Sequence, residues 1–144
     1  MTKTLAFITA MILAVGGAAQ AQGFDPIETR KAGQDLVNGT FAGIKAVVTA
    51  NGDVKTLESP AKAIQRWAVV YPTLFPPGSD KGNTKAAPTI WSDSAGFQKA
   101  AMNLSTASET LATAAKAGDA TAVAAAFKGV GDACGACHNE YRLK

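Results

Sequence analysis

The chain has 144 residues, with 14 basic against 11 acidic, two cysteines and one histidine. A net charge of +3, dispersed along the chain, argues against nucleic acid as a partner, since that requires clustered Lys and Arg. With 47% hydrophobic residues the length suits one domain with a real core, and no segment beyond the N-terminus is apolar for long enough to span a bilayer.

Residues 1–21 read as a secretory signal peptide. Lys3 is the positive start, Leu5 to Val15 is apolar apart from Thr9, and Ala19-Gln20-Ala21 puts small residues at the cleavage positions. Gln20 and Gln22 close the apolar run short of the roughly 20 residues a membrane anchor needs. Cleavage is expected before Gln22, leaving 22–144 as one domain delivered to the periplasm, with no stable membrane insertion. Taking Lys3 from the 14 basic residues leaves 13 against 11 acidic, a mature charge of +2.

Asp25-Pro26-Ile27-Glu28 predicts a helix start: a capping acceptor, proline at the first helical position, and glutamate three residues after the cap. Ile27, Arg30, Gln34, Val37, Phe41, Ile44 and Val48 then recur at steps of three and four, forming one inward seam with two polar members. Asn51-Gly52-Asp53 breaks it. A second helix is expected from Ser59-Pro60 through Ile64, Trp67, Tyr71 and Leu74, stopped by Pro76-Pro77-Gly78. Residues 78–88 read as an ordered, irregular loop.

A third helix is expected from Ile90-Trp91-Ser92 through Phe97, Ala101, Leu104, Ser108, Leu111 and Ala115, ending at Gly118-Asp119. The fourth runs from about Ala120 to Arg142, with Val123, Phe127, Val130, Cys134, Cys137 and Tyr141 on one face. Nothing alternates with period two, and the alanine content favours helix. The predicted fold is all-α, an antiparallel four-helix bundle.

Cys134-Gly135-Ala136-Cys137-His138 holds both cysteines and the only histidine. Cysteines three apart share a helix face, where their thiols can add across the two vinyl groups of one porphyrin while the adjacent imidazole meets the iron. The expected cofactor is therefore one haem c, bound covalently through Cys134 and Cys137 with His138 as the metal ligand. Three other readings compete. Structural zinc needs four ligands where three are available. A thioredoxin-like motif expects a preceding strand. A disulfide closing so short a loop stabilises little and leaves His138 unexplained.

The string Gly118-Asp119, Ala126-Phe127, Val130-Gly131, Cys134-Gly135-Ala136-Cys137-His138 and Tyr141-Arg142 resembles the class II c-type cytochromes, the cytochrome c′ and cytochrome c-556 family. Ile90-Trp91-Ser92-Asp93 and Arg30 extend the likeness over nearly the whole mature chain. The resemblance implies a four-helix bundle, often a homodimer, with one haem c.

Arg30 on the inward seam would be costly without a partner, which a haem propionate would supply, as the resemblance implies. The alternative is a tilted seam that lets Arg30 snorkel to solvent. Lys31 beside it reads as a solvated lysine. Gln34 falls where the family turns toward the open face of the iron. Members without a sixth ligand carry an apolar residue there and low-spin members a methionine, so Gln34 departs from both. Its amide can bond a ligand or water, or merely the backbone.

Arg142, four residues after His138, matches a family arginine beside the proximal histidine; the alternative is an exposed base at a helix end. Met102 is the only methionine after the signal and lies one residue off the third-helix seam, which makes it a packing residue before a ligand. The aromatics Trp67, Tyr71, Trp91, Phe97, Phe127 and Tyr141 read as core and haem packing.

The expected function is electron transfer between periplasmic redox partners, binding of NO or CO at a vacant sixth position, or both. Its alternative is a low-spin dedicated carrier with Met102 as sixth ligand. An enzyme is not expected: a peroxidase wants a distal acid–base group, and the only histidine is already used.

Overall fold

A computed structural model describes residues 24–144, so the expected signal in 1–21 lies outside the described residues. Helix α1 spans Pro26–Thr49, and Asp25 caps it by accepting from the N–H groups of Ile27 at 2.8 Å and Glu28 at 3.3 Å. Asn51 (φ 52°) and Gly52, whose N–H reaches back to Val47 O at 2.9 Å, reverse the chain.

The next helix begins earlier than its Ser-Pro pair suggests. Asp53 caps a 3₁₀ turn, Val54–Leu57, that runs straight into α2, Glu58–Val70. Ser59 is therefore inside the helix and caps nothing. Val54 and Leu57 are both buried, so the extra turn adds apolar burial to the hydrogen bond from Lys55 N to Asp53 Oδ1. Pro72, which has no N–H to donate, sits in the 3₁₀ turn Tyr71–Leu74 that ends this segment.

The expected third helix is broken into α3 (Thr89–Ser92) and α4 (Ser94–Ala117). Asp93 makes the break: its backbone leaves the helix (φ −128°, ψ 60°) and its carboxylate caps Gly96 N. Gly118, with φ +75°, ends α4 in the left-handed conformation that glycine adopts without penalty. Asp119 then caps α5, Ala120–Tyr141.

Helix α5 stops one residue before its expected end. Arg142 is extended and pairs with Ala86 in an antiparallel bridge, flanked by hydrogen bonds from Ala87 N to Tyr141 O (3.1 Å) and Leu143 N to Lys85 O (2.8 Å). The backbone groups that a further helical turn would use are taken by the 85–87 segment instead.

The long helices α1, α2, α4 and α5 form the bundle, with α2 packed on α1 and α4, and α5 packed on α4 and α1. This order puts α2 diagonally across the bundle from α5. One core cluster holds Ile44, Leu57, Ile64, Leu111, Val123 and Val130. A second gathers Ile90, Phe97 and Tyr141 with Tyr71, Phe75 and Trp91 around Cys137.

Candidate functional site

A cavity of about 730 Å³ opens among the four long helices, within the size range of cofactor sites. Its walls are largely apolar, including Ile64, Ala68, Phe97, Ala101, Leu104 and Val130. From α5, Cys134, Cys137 and His138 all face it; from α1, Arg30 and Gln34; from α2, Trp67, and from the turn after it, Tyr71. Arg142 joins the lining from its extended position after α5, so it stays near His138 without sharing a helical face with it.

The three motif residues are prepared for different chemistry. Both cysteines are free, and burial pushes their thiols up: a backbone hydrogen bond opposes this at Cys134, while the neighbouring Cys134 adds to it at Cys137. Burial, then the positive charge of Arg142, pushes His138 down, favouring the neutral imidazole that ligates metals. Among the described residues no three His, Cys, Asp or Glu side chains gather as a chelating group. The motif thus presents two thiols and an imidazole to one apolar cavity, an arrangement suited to a large planar group rather than to a chelated ion.

Arg30 is 4% exposed, which rules out the snorkelling alternative. Its fork donates to Leu74 O (3.1 Å), Ser79 Oγ (2.9 Å), Ser79 O (2.9 Å) and Thr84 Oγ1 (3.4 Å), and its carbon centre lies 4.3 Å over the Phe75 ring. Trp91 Nε1 fixes that ring's backbone by donating to Phe75 O at 3.2 Å. Burial pushes Arg30 down, opposed by Tyr71 and Asp25, yet a guanidinium remains charged. Every bonded acceptor is neutral. The Arg30 charge is thus buried at the edge of an apolar cavity with hydrogen-bond partners but no carboxylate bonded to it.

A family model described as Cytochrome C′ matches residues 25–142. The chain belongs to the cytochrome c′ family. Cytochrome c′ from Rubrivivax gelatinosus is 33% identical over 123 residues, covering 83% of this chain and 95% of that protein. A cytochrome c′ described as having ligand-controlled dimer dissociation superposes with a TM-score of 0.78 at 35% identity, covering 85% of this chain and 99% of that one. The nitric oxide complex of a variant cytochrome c prime from Alcaligenes xylosoxidans gives a TM-score of 0.75 at 30% identity, covering 83% and 94%. Membership makes the chain a haem c cytochrome of the electron-carrying and gas-binding class, and the free cysteines at its cavity agree with covalent attachment.

Within that cytochrome c′ frame, the remaining sequence candidates separate cleanly. Gln34 is half-buried on the cavity wall beside Tyr71. Lys31 is exposed and paired with Glu28 at 2.8 Å. Met102 is 51% exposed and does not line the cavity, so the alternative sixth ligand stands outside it. Sequence reasoning missed Ser79 and Thr84, the partners of Arg30. Only the Ser, Thr and Gly content of the 78–88 loop hinted that it had hydrogen-bonding work to do. Trp67 was read as packing, and so it is: a Cβ on Gly33 would lie 2.0 Å from its Cη2.

Proposed function

We propose that this chain is a periplasmic cytochrome whose residues 1–21 are removed on export, and whose domain 22–144 holds one haem c. Cys134 and Cys137 would hold it by thioether bonds, and His138 would be the proximal ligand. Arg30 would meet a propionate and Arg142 would flank His138. Held by these residues, the haem would supply one-electron redox chemistry and a binding site for a small ligand.

The observation that carries the reading is that Cys134, Cys137, His138 and the buried Arg30 share one cavity while Met102 stands outside it. The chain has no second histidine and Met102 does not line the cavity, so neither would supply a ligand opposite His138, and Gln34 on the cavity wall would be a polar neighbour of that position. A five-coordinate iron that binds NO or CO and exchanges electrons with periplasmic redox partners follows. The nitric oxide complex of the Alcaligenes relative supports the gas-binding half. The dimer described for another relative supports a homodimer here. Among the described residues no helix is long and apolar enough to cross a membrane.

Acid–acetone extraction should leave the haem on the polypeptide, and mass spectrometry should find one haem on a chain beginning at Gln22. Optical spectra should be those of a high-spin iron that shifts on adding CO. Free haem, two free thiols, or a low-spin spectrum with a methionine-to-iron band would each overturn a named part of this assignment.

A further inference from the structure

The cavity wall carries a tyrosine hydroxyl that donates to nothing among the described residues. Of its two tyrosines, Tyr141 donates to Asp93 at 2.9 Å, whereas the Tyr71 O–H donates no hydrogen bond among the described residues. Tyr71 lines the cavity from the turn that follows α2, the helix diagonal to the one bearing His138. Its ring is fixed by Trp67, Phe75 and Phe97, at centroid distances of 5.5, 5.0 and 6.2 Å. The hydroxyl is therefore held in place rather than swinging between positions.

Gln34 on α1 also faces the cavity. Burial raises the Tyr71 pKa, so the phenol keeps its proton at neutral pH, while the Gln34 amide and then the Arg30 charge pull the other way. Gln34 and Tyr71 are thus two polar side chains on one cavity wall, and among the described residues the Tyr71 proton has no acceptor.

We propose that Tyr71 is the hydrogen-bond donor to the small ligand of this cavity, which makes the site select diatomics bearing negative charge at the outer atom over carbon monoxide. This rests on the open sixth position argued above. Cyanide, tested on the oxidised protein, and CO, tested on the reduced protein, are isoelectronic and alike in shape, so the variant-to-unaltered ratio for each ligand separates hydrogen bonding from steric fit; the anion gains more from a donor than the nearly apolar CO does.

Tyr71→Phe removes the hydroxyl and leaves the ring cluster. In the haem-loaded full chain, cyanide affinity should fall about 10- to 100-fold, as expected for one charge-assisted bond, while CO affinity changes by less than about twofold. The C–O stretching frequency of the CO complex should rise as the donor is lost. Gln34→Leu should lower cyanide affinity by a smaller factor. Equal changes for both ligands would assign the effect to the ring and overturn the proposal, as would unchanged cyanide affinity with an unchanged C–O stretch. If the unaltered chain bound neither ligand, the open-position reading would itself fall, and this proposal with it.

Discussion

Tyr141 and Asp93 lock the end of α5 to the start of α4: the phenol donates to Asp93 Oδ2 at 2.9 Å while Asp93 Oδ1 accepts from Gly96 N at 3.1 Å. One carboxylate thus both starts a helix and holds the residue three places beyond His138. The approach is close enough that a Cβ on Gly96 would lie 2.1 Å from Asp93 Oδ2 and 2.5 Å from the Tyr141 oxygen.

Burial, then the Asp93 hydrogen bond, pushes the Tyr141 phenol up from 10.0 to about 12. A raised folded-state pKa means that the protonated phenol contributes its full stability below pH 10 and loses it as pH rises through about 12. Tyr141→Phe should therefore lower the urea midpoint at neutral pH, and its deficit against the unaltered chain should shrink as the pH is raised from 10 towards 12. A constant deficit across that window would disconnect the ionisation from stability.

Gly33→Ala should force Trp67 off α1 and into the cavity, because the new Cβ would fall 2.0 Å from the indole. The cost should be about 1–3 kcal/mol by thermal melting, as for other overpacked sites. The ratio of haem absorbance to protein absorbance should drop in the same preparation.

Arg30→Leu removes the donors to Leu74 O, Ser79 and Thr84. We expect a loss of about 2 kcal/mol from the acceptors left unbonded. Because a cation near the iron favours the added electron, its removal should also lower the reduction potential, by roughly 50 mV. Arg30→Lys should retain most of the potential but not the stability, since ammonium cannot reproduce the fork. A potential unchanged in Arg30→Leu would separate Arg30 from the haem.

Met102→Ala should leave the optical spectrum unaltered and stability within about 0.5 kcal/mol, since the side chain is half exposed on the outside of α4. Loss of an absorption band in this variant would restore the methionine as a ligand.

Ser108 is fully buried and its hydroxyl bonds nothing among the described residues. Ser108→Ala should raise stability by about 1 kcal/mol, because an unmet polar group is lost and alanine is the better helix former. Chemical denaturation of the loaded protein would read it.

The helices were legible because their signals are local. Asp25-Pro26, Gly118 and Asp119 do at the helix ends what their side chains dictate, and the inward residues of α1 and α4 follow helical spacing. The departures came where one side chain had a competing partner. Asp93 breaks a continuous apolar pattern because its carboxylate prefers to cap Gly96, and Arg142 leaves the helix for a bridge to Ala86, 56 positions away. The motif at 134–138 was legible by composition alone, and Arg30 by its misfit on an apolar seam. The seat of Arg30 was not, since Ser79 lies 49 residues along the chain and carries no periodicity. Tyr71 was hidden for another reason: whether a tyrosine hydroxyl is spent or free depends on neighbours that pattern cannot show.

The four bonds that Arg30 makes leave little of its fork unspoken for, and the weakest of them, at 3.4 Å, goes to Thr84. An anion seated there must share or displace the bonds that hold residues 79–84. If a propionate takes that place, occupancy and the order of the loop would be linked reciprocally: filling the seat would loosen the loop, and anything that tightens the loop would raise the threshold for filling it. Amide exchange at residues 79–87 would register this as protection that differs between the loaded and the empty chain, so that a loop far from Cys134 in sequence becomes a reporter of whether the cavity is filled.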